Sequence, residues 1–138
     1  MAKLIFVDAG VLIAAARGDN EVSERAMEVL DDPTSEFASS VLVKLEVLPK
    51  AIFHRKADEV SFYQTFFDEV SVWVDLQPQL AQDADEEAAR KGLDAVDALH
   101  VAAAAAADAD ELITTEKQTK PTHSSRLVSV RTILPERS

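Results

Sequence analysis

Cysteine and long hydrophobic runs are both absent from this 138-residue chain. Without cysteine, the protein can form neither a disulfide nor a cysteine-based zinc site. Its three histidines, His54, His100 and His123, are scattered and do not have the spacing of metal ligands. No apolar run reaches the roughly 18 residues of a membrane-spanning helix, and the N-terminus lacks a signal-peptide pattern. We therefore expect a cytoplasmic protein with no membrane partner.

Positive charge is also scarce: 14 lysine and arginine residues stand against 25 aspartate and glutamate residues, giving a net charge of −11. Such a chain should not coat nucleic acid through overall attraction. The cations are nevertheless concentrated in two stretches. Residues 44–56 contain four cations and one acid, and residues 117–135 contain four cations and no acid. Each stretch on its own is consistent with an ordinary solvated surface.

Five short apolar segments read as strands. They are KLIFV (3–7), EFAS (36–39), SVWVDL (71–76), ELIT (111–114) and LVSVRTI (127–133). Helical periodicity fills the stretches between them. Strands that alternate with helices indicate a largely parallel sheet covered on both faces. We predict a single domain over residues 1–138, of class α/β, with a three-layer α/β/α sandwich around about five strands.

The predicted helices cover residues 11–18, 20–32, 41–52, 57–70, about 79–91 and 94 to about 107. In the third of these, which Ser40 precedes as a candidate cap, the apolar face is predicted from i, i+4, i+7, i+11 spacing. That face consists of Val41, Leu45, Leu48 and Ile52. The alanine-rich last helix is expected to pack closely against its neighbours.

Acidic residues stand where these elements meet one edge of the predicted sheet. Asp8 directly follows the first strand, and Glu116 follows ELIT. Asp94 and Asp97 open the helix that leads into ELIT, and Glu46 lies one turn into the helix after the second strand. Because ligand sites of such sheets lie beyond the carboxyl ends of the strands, these acids are expected to converge there.

Each acid also has a purely structural alternative. Asp94 suits an N-cap, and Asp97 three residues later would complete an acidic capping box. Glu46 would be a solvated helix acid beside Lys50, and Glu116 would begin a polar loop. Taken together, however, carboxylates that converge cannot all ionise unless a cation joins them. A hard divalent ion with oxygen ligands, Mg²⁺ or Mn²⁺, meets that need.

Four segments resemble the PIN-domain family of metal-dependent ribonucleases, which includes VapC-like toxins. They are IFVDAGVLIAAARG, SSVLVKLEVLPKA, LDAVDALHVAAAA and ELITTEKQTK, and together they span nearly the whole chain. The resemblance implies that Asp8, Glu46, Asp97 and Glu116 are metal-site acids with a catalytic role. Asp94 would be an additional acid of the metal site.

The first and last motifs depart from the family pattern. The family usually has a hydroxyl residue and then Asn or Ser after its first Asp, where this chain has Ala9 and Gly10. The fourth acid is usually Asp and here is Glu116, which is longer by one methylene. Thr115 and the neighbouring backbone are candidates to compensate. These departures motivate an alternative, a PIN-like module that binds nucleic acid or a partner without turnover.

As a nuclease, the protein would hydrolyse RNA phosphodiesters with a metal-activated water. The resemblance implies that cleavage leaves a 5′-phosphate and a 3′-hydroxyl. The residues expected to contact substrate are the Thr114 hydroxyl and four cations, Lys50, Arg55, Lys117 and Lys120. Phe62, Phe66 and Trp73 are assigned to the core instead of RNA stacking. The resemblance also implies RNA as substrate, an antitoxin partner and a homodimer. A more distant alternative is a receiver-like phosphoacceptor domain, suggested by Asp75 after one strand, Thr114 after another, and Lys117.

Overall fold

The computed structural model describes residues 2–135 and consists of five strands and six α-helices within that range. The strands are β1 (Lys3–Val7), β2 (Ser35–Ser40), β3 (Val72–Val74), β4 (Glu111–Thr114) and β5 (Ser129–Thr132). The helices are α1 (Ala9–Arg17), α2 (Glu21–Leu30), α3 (Val41–Phe53), α4 (Ala57–Asp68), α5 (Pro78–Lys91) and α6 (Ala95–Ala106). A short 3-10 helix, Pro121–Ser124, lies between β4 and β5.

The five strands form one sheet in the order β3-β2-β1-β4-β5, and every pairing is parallel. The chain adds β2 and β3 on one side of β1 and then crosses back to add β4 and β5 on the other side. The connections therefore reverse direction beside β1. In open parallel sheets this switch point leaves a crevice at the carboxyl ends of the strands. Here the crevice lies between β1 and β4, directly beyond Val7 and Thr114.

The helices form two groups around the sheet. Helix α1 packs with α2, α3 and α4, whereas α5 packs along α6. The predicted α/β class and three-layer sandwich are therefore confirmed, with a sheet that is wholly parallel. No helix in the described part of the chain is long and apolar enough to cross a membrane.

Alanine lines the buried side of α6. Ala98, Ala102, Ala103 and Ala104 are at most 4% exposed, and Val101 is fully buried among them. Side chains this small let α6 approach the sheet and α5 closely, and alanine is also the best helix former. The expected packing role of this segment agrees with the structure.

The predicted apolar face of α3 is wrong at two of its four positions, whereas Leu48 is buried as predicted. Leu45 and Ile52 are 59% and 55% exposed. The residues of α3 that are buried are Val43, Val47, Leu48 and Ala51. Apolar residues surround this helix on several sides, so spacing alone supports more than one face. Contacts with α1 and α4 decide which of these faces is buried. No local sequence pattern encodes those contacts.

Strand β3 also differs from its prediction. It has three residues instead of six, and it forms an edge of the sheet. Trp73 is 40% exposed there and meets Phe67 edge-on with ring centroids 5.8 Å apart, so its assignment to the core was wrong. Phe62 and Phe66 are half-buried and pack against the core as expected.

Candidate active site

Asp8 is fixed at the switch point by three hydrogen bonds. Its backbone N–H donates to the carbonyl oxygen of Ile113 in β4 at 3.0 Å. Its side chain caps α1, because Oδ1 accepts from the Val11 N–H at 3.1 Å. Its other oxygen, Oδ2, accepts from the Thr114 hydroxyl at 2.5 Å. The carboxylate is thus held between the ends of two neighbouring strands.

The Thr114 hydroxyl links Asp8 to the loop after β4. Thr114 is 1% exposed, and while it donates to Asp8 its Oγ1 accepts the N–H of Glu116 at 3.0 Å. One buried hydroxyl therefore sets the position of both acids. The backbone carbonyl of Glu116 lies 3.3 Å from Nε2 of His123, which belongs to the 3-10 helix.

Gly10 sits where Thr115 leaves no room for a side chain. A Cβ at position 10 would lie 2.1 Å from the Thr115 Oγ1 and 3.4 Å from the Asp8 Oδ1. The space that a hydroxyl or amide side chain at position 10 would take is therefore occupied by the Thr115 hydroxyl. The expectation that Thr115 compensates for the Ala9-Gly10 departure gains a physical basis from this arrangement.

Glu46 is paired with His100 of α6. The Nε2 of His100 contacts the Glu46 Oε1, while the His100 ring is 4% exposed and lies 6.2 Å from the Phe6 ring between centroids. Glu46 has no salt bridge to Lys50 among the described residues, so the alternative of a Glu46–Lys50 helix pair is not supported. His100 was missed from the sequence, although it stands three residues after Asp97 and hence on the same side of α6.

Asp97 lies near four other ionisable groups of the site. Burial, followed by Glu116 and then Asp94, raises the pKa of Asp97, and His100 and Lys120 oppose that rise. Asp94 is exposed at the N-cap position of α6 but makes no capping hydrogen bond through its side chain. The alternative that Asp94 serves as a side-chain cap is therefore wrong.

Burial also raises the pKa of Asp8, and it outweighs the opposing hydrogen bonds from Thr114 and Val11. Two smaller influences act on the same carboxyl: His100 lowers its pKa and Glu116 raises it. Glu116 and His100 thus affect both Asp8 and Asp97. We call Asp8, Glu46, Asp97 and Glu116 the acid rim.

The acid rim does not form a closed metal cage. Across residues 2–135, no three histidine, aspartate or glutamate side chains are grouped so as to hold one ion. The donor chemistry nevertheless fits a hard divalent cation, because the rim offers carboxylate oxygens whose burial and mutual repulsion a cation would relieve. Mg²⁺ in particular keeps several waters and commonly uses only one or two carboxylates together with substrate phosphates.

Three of the four predicted phosphate-binding cations lie near the acid rim, and one of them, Lys117, directly follows Glu116. Lys50 lines a cleft of about 310 Å³ that Glu46 also borders. Lys120 is close enough to Asp97 to oppose the rise of its pKa. Arg55 and Lys117 are exposed, and neither forms an ion pair with a described residue.

Asp75 lies away from this constellation. It follows edge strand β3, and β2 and β1 stand between it and Thr114 at the end of β4. The arrangement does not bring Asp75 to Thr114 and Lys117, so it gives no support to the receiver-like alternative.

Comparison of the sequence with known families gives one match over most of the chain. The model of the PIN domain family matches residues 5–120, a range that contains the whole acid rim. Among curated proteins, no sequence matches.

Several solved structures share the fold at low sequence identity. A toxin–antitoxin complex from Klebsiella pneumoniae has a TM-score of 0.73 at 20% identity, covering 94% of this chain and 98% of the other. VapBC2 from Rickettsia felis, bound to a promoter DNA fragment, gives 0.69 at 16% identity, with the same coverages of 94% and 98%. The sarcin-ricin loop cleaving toxin VapC20 from Mycobacterium tuberculosis gives 0.63 at 17% identity over 78% and 86%.

Proposed function

Because this chain belongs to the PIN domain family, whose members include nucleases, we propose that it is a metal-dependent endoribonuclease and the toxin of a toxin–antitoxin pair. The observation that carries the proposal is the fixation of Asp8. A partly buried carboxylate with a raised pKa is held at the switch point by Thr114 and Val11, and Glu116 lies near enough to contribute to that rise. Perturbed carboxylates in a crevice are typical of functional sites.

Each residue of the acid rim has a distinct part in this proposal. Asp8 and Asp97 would hold Mg²⁺ or Mn²⁺ directly, and Glu46, Glu116 and the more exposed Asp94 would do so directly or through water. When bound, the ion supplies an activated water and neutralises charge on the scissile phosphate.

The surrounding residues keep the acids in place for this chemistry. The Thr114 hydroxyl fixes one Asp8 oxygen and the backbone of Glu116, and His100 restrains Glu46. Lys120, beside Asp97, would attract the RNA strand to a rim that otherwise repels it. A single-stranded RNA would be recognised mainly by its shape and backbone.

A protein partner is part of the same proposal. Structurally similar chains occur in toxin–antitoxin complexes from Klebsiella pneumoniae and Rickettsia felis. On α3, Leu45, Ile52 and Phe53 are 59%, 55% and 81% exposed, and exposed apolar residues so close together are typical of interfaces. We propose an antitoxin as the partner, with homodimerisation as a second use of apolar surface and the cytoplasm as the place of action.

The alternative of a PIN-like module without turnover rests on Ala9, Gly10 and Glu116. The Thr115 hydroxyl weakens the first part of that case, because it occupies the space of the missing side chain at position 10. The longer Glu116 remains the specific observation in favour of a binding module.

Cleavage of labelled single-stranded RNA in Mg²⁺ and in Mn²⁺, with an EDTA control, tests the proposal. We expect metal-dependent cutting by the wild type and its loss in Asp8→Asn. Asp75→Asn is the matched control, since it removes an exposed acid that follows a strand of the same sheet and should leave cutting unchanged. Equal cutting by wild type and Asp8→Asn would refute the assignment of Asp8. Metal binding without any cutting would favour the binding module.

A further inference from the structure

A polar cleft adjoins the acid rim on the side of Glu46. It has a volume of about 310 Å³ and is bordered by residues of α1, α3 and α4 together with the turn between α3 and α4. Its nitrogen-bearing side chains come from Arg17, Lys50, His54 and Lys56. A volume near 300 Å³ is at the lower end of the range for ligand pockets. Glu46 belongs both to this cleft and to the acid rim, so the two are continuous.

The negative groups that border the cleft are already engaged. Glu46 contacts His100. Glu59 pairs with Lys56 at 3.6 Å, and its other carboxylate oxygen accepts a hydrogen bond from the Tyr63 hydroxyl at 3.4 Å. Neither carboxylate forms a salt bridge with the remaining cations of the cleft.

Arg17 and Lys50 are the cations left over. Neither forms a salt bridge with any acid in the part of the chain that the structure describes. Arg17 is near enough to Tyr63 to oppose the rise of that phenol's pKa, which burial and Glu59 bring to about 12. Tyr63 consequently stays neutral at physiological pH and adds no negative charge. Two free cations thus border one small cleft of a protein whose net charge is −11.

We propose that this cleft binds a backbone phosphate of the RNA strand next to the scissile one, held by Arg17 and Lys50. The inference rests on the proposed nuclease function. An RNA strand that has one phosphate at the acid rim has its next phosphate only one nucleotide away. Further carboxylates at that position would repel this second phosphate. The cleft, which Glu46 of the acid rim also borders, supplies cations beside the rim. A guanidinium matches phosphate geometry through paired hydrogen bonds, and a lysine ammonium adds a second point charge.

Binding of RNA to a non-cleaving protein separates this proposal from the nuclease function itself. The probe is a short fluorescent single-stranded RNA, and the protein is the Asp8→Asn variant, with fluorescence anisotropy measured over a range of salt. Arg17→Ala and Lys50→Ala are added singly. The matched controls are Arg126→Ala and Lys44→Ala, which remove exposed cations outside the cleft, the latter from the same helix as Lys50.

Each cleft variant should weaken RNA binding about tenfold, as expected for the loss of a hydrogen bond between charged groups. The slope of log affinity against log salt should fall by about 0.7 for each phosphate of the single strand that the variant no longer neutralises. Arg17→Lys should recover part of the affinity, and circular dichroism should show every variant folded. The two controls should bind like the parent.

Two results would overturn the proposal. The first is an unchanged RNA affinity and salt slope in both cleft variants. This result would refute the role of the cleft even if the wild type cleaves RNA, because the nuclease would then work without the cleft. The second is tight binding of a mononucleotide by the parent that is lost in the cleft variants, while RNA binding is unaffected. This result would assign the cleft to free nucleotides instead. Conversely, the predicted loss of RNA affinity would support the cleft even if the wild type shows no cleavage.

Discussion

Replacing Gly10 with alanine tests the contact between α1 and the loop after β4. The new Cβ would lie 2.1 Å from the Thr115 Oγ1 and 3.2 Å from the Thr115 Cβ. Ordinary contacts between heavy atoms are about 3.5–4.0 Å, so Thr115 must rotate or the loop must move. Rotation is restricted because Thr115 is β-branched. The loop in turn carries Glu116, so any movement also reaches the acid rim.

Two opposing effects set the size of the change. Alanine is more favourable than glycine inside a helix by about 1 kcal/mol. Overpacking of a well-filled position costs about 1–3 kcal/mol. We expect a net destabilisation between about 0 and 2 kcal/mol in the wild-type background. With Thr115→Ala the 2.1 Å contact disappears, and the 3.2 Å contact with the residue 115 Cβ and the 3.4 Å contact with the Asp8 Oδ1 remain. Gly10→Ala should then become neutral or stabilising by up to about 1 kcal/mol.

Urea unfolding of the double-mutant cycle measures this coupling. Thr115→Ser is the intermediate case, because it keeps the hydroxyl but loses the β-branch that restricts rotation. The loss of unfolding free energy caused by Gly10→Ala should be largest in the wild-type background, smaller with Thr115→Ser and smallest with Thr115→Ala. RNA cleavage by Gly10→Ala should fall in the wild-type background. An equal effect of Gly10→Ala in all three backgrounds would show that the Thr115 hydroxyl does not occupy this space.

Three further predictions concern groups that are buried around the site. Burial raises the pKa of Asp8. Between about pH 4 and the raised pKa, the folded protein therefore keeps a proton on Asp8 that the unfolded chain has lost. The free energy of unfolding consequently falls as the pH rises through this window. Asp8→Asn should therefore unfold at higher urea than the wild type at neutral pH without metal, with the advantage vanishing below about pH 4; a less stable variant at neutral pH would contradict this. His100→Ala removes the contact that restrains Glu46 and should weaken Mn²⁺ binding, measured by calorimetry, about 10- to 100-fold, with His100→Gln intermediate. Equal Mn²⁺ affinities of wild type and variants would show that the His100–Glu46 pair does not belong to the metal site. Ser125→Ala removes a 2.5 Å hydrogen bond to Glu87, which is 1% exposed, and should lower the unfolding free energy by about 1.5–3 kcal/mol, whereas the exposed Ser124→Ala should change it less.

The fold follows from patterns that are local in the sequence. The segment Lys3–Val7 is mostly apolar and ends just before Asp8, polar residues flank the short segment Glu111–Thr114, and helical spacing fills the stretches between the strands. Because parallel strands need crossovers, this order alone favours the observed architecture. The acids Asp8 and Glu116 follow their strands directly, so their position at the carboxyl edge could also be predicted.

Features that depend on distant contacts could not be predicted in this way. His100 meets Glu46 across 54 residues of sequence, and nothing near either residue specifies the other. Arg17 looks like an ordinary basic residue at a helix end until α3 and α4 form a cleft beside it. The fit between Gly10 and Thr115 likewise exists only after β1 and β4 have paired.

Polar groups without partners are concentrated near the candidate site. Within the described residues, three of the buried side-chain atoms that lack a protein hydrogen-bond partner are the hydroxyls of Ser39 and Ser40, at the carboxyl end of β2, and the Nδ1 of His100. The other two belong to Thr122 and His123, in the 3-10 helix that follows Glu116. Unsatisfied buried groups usually destabilise a fold, so stability alone would favour apolar residues at these positions. Under the proposed function, these groups are tolerated because this edge of the sheet trades stability for binding, as functional sites commonly do.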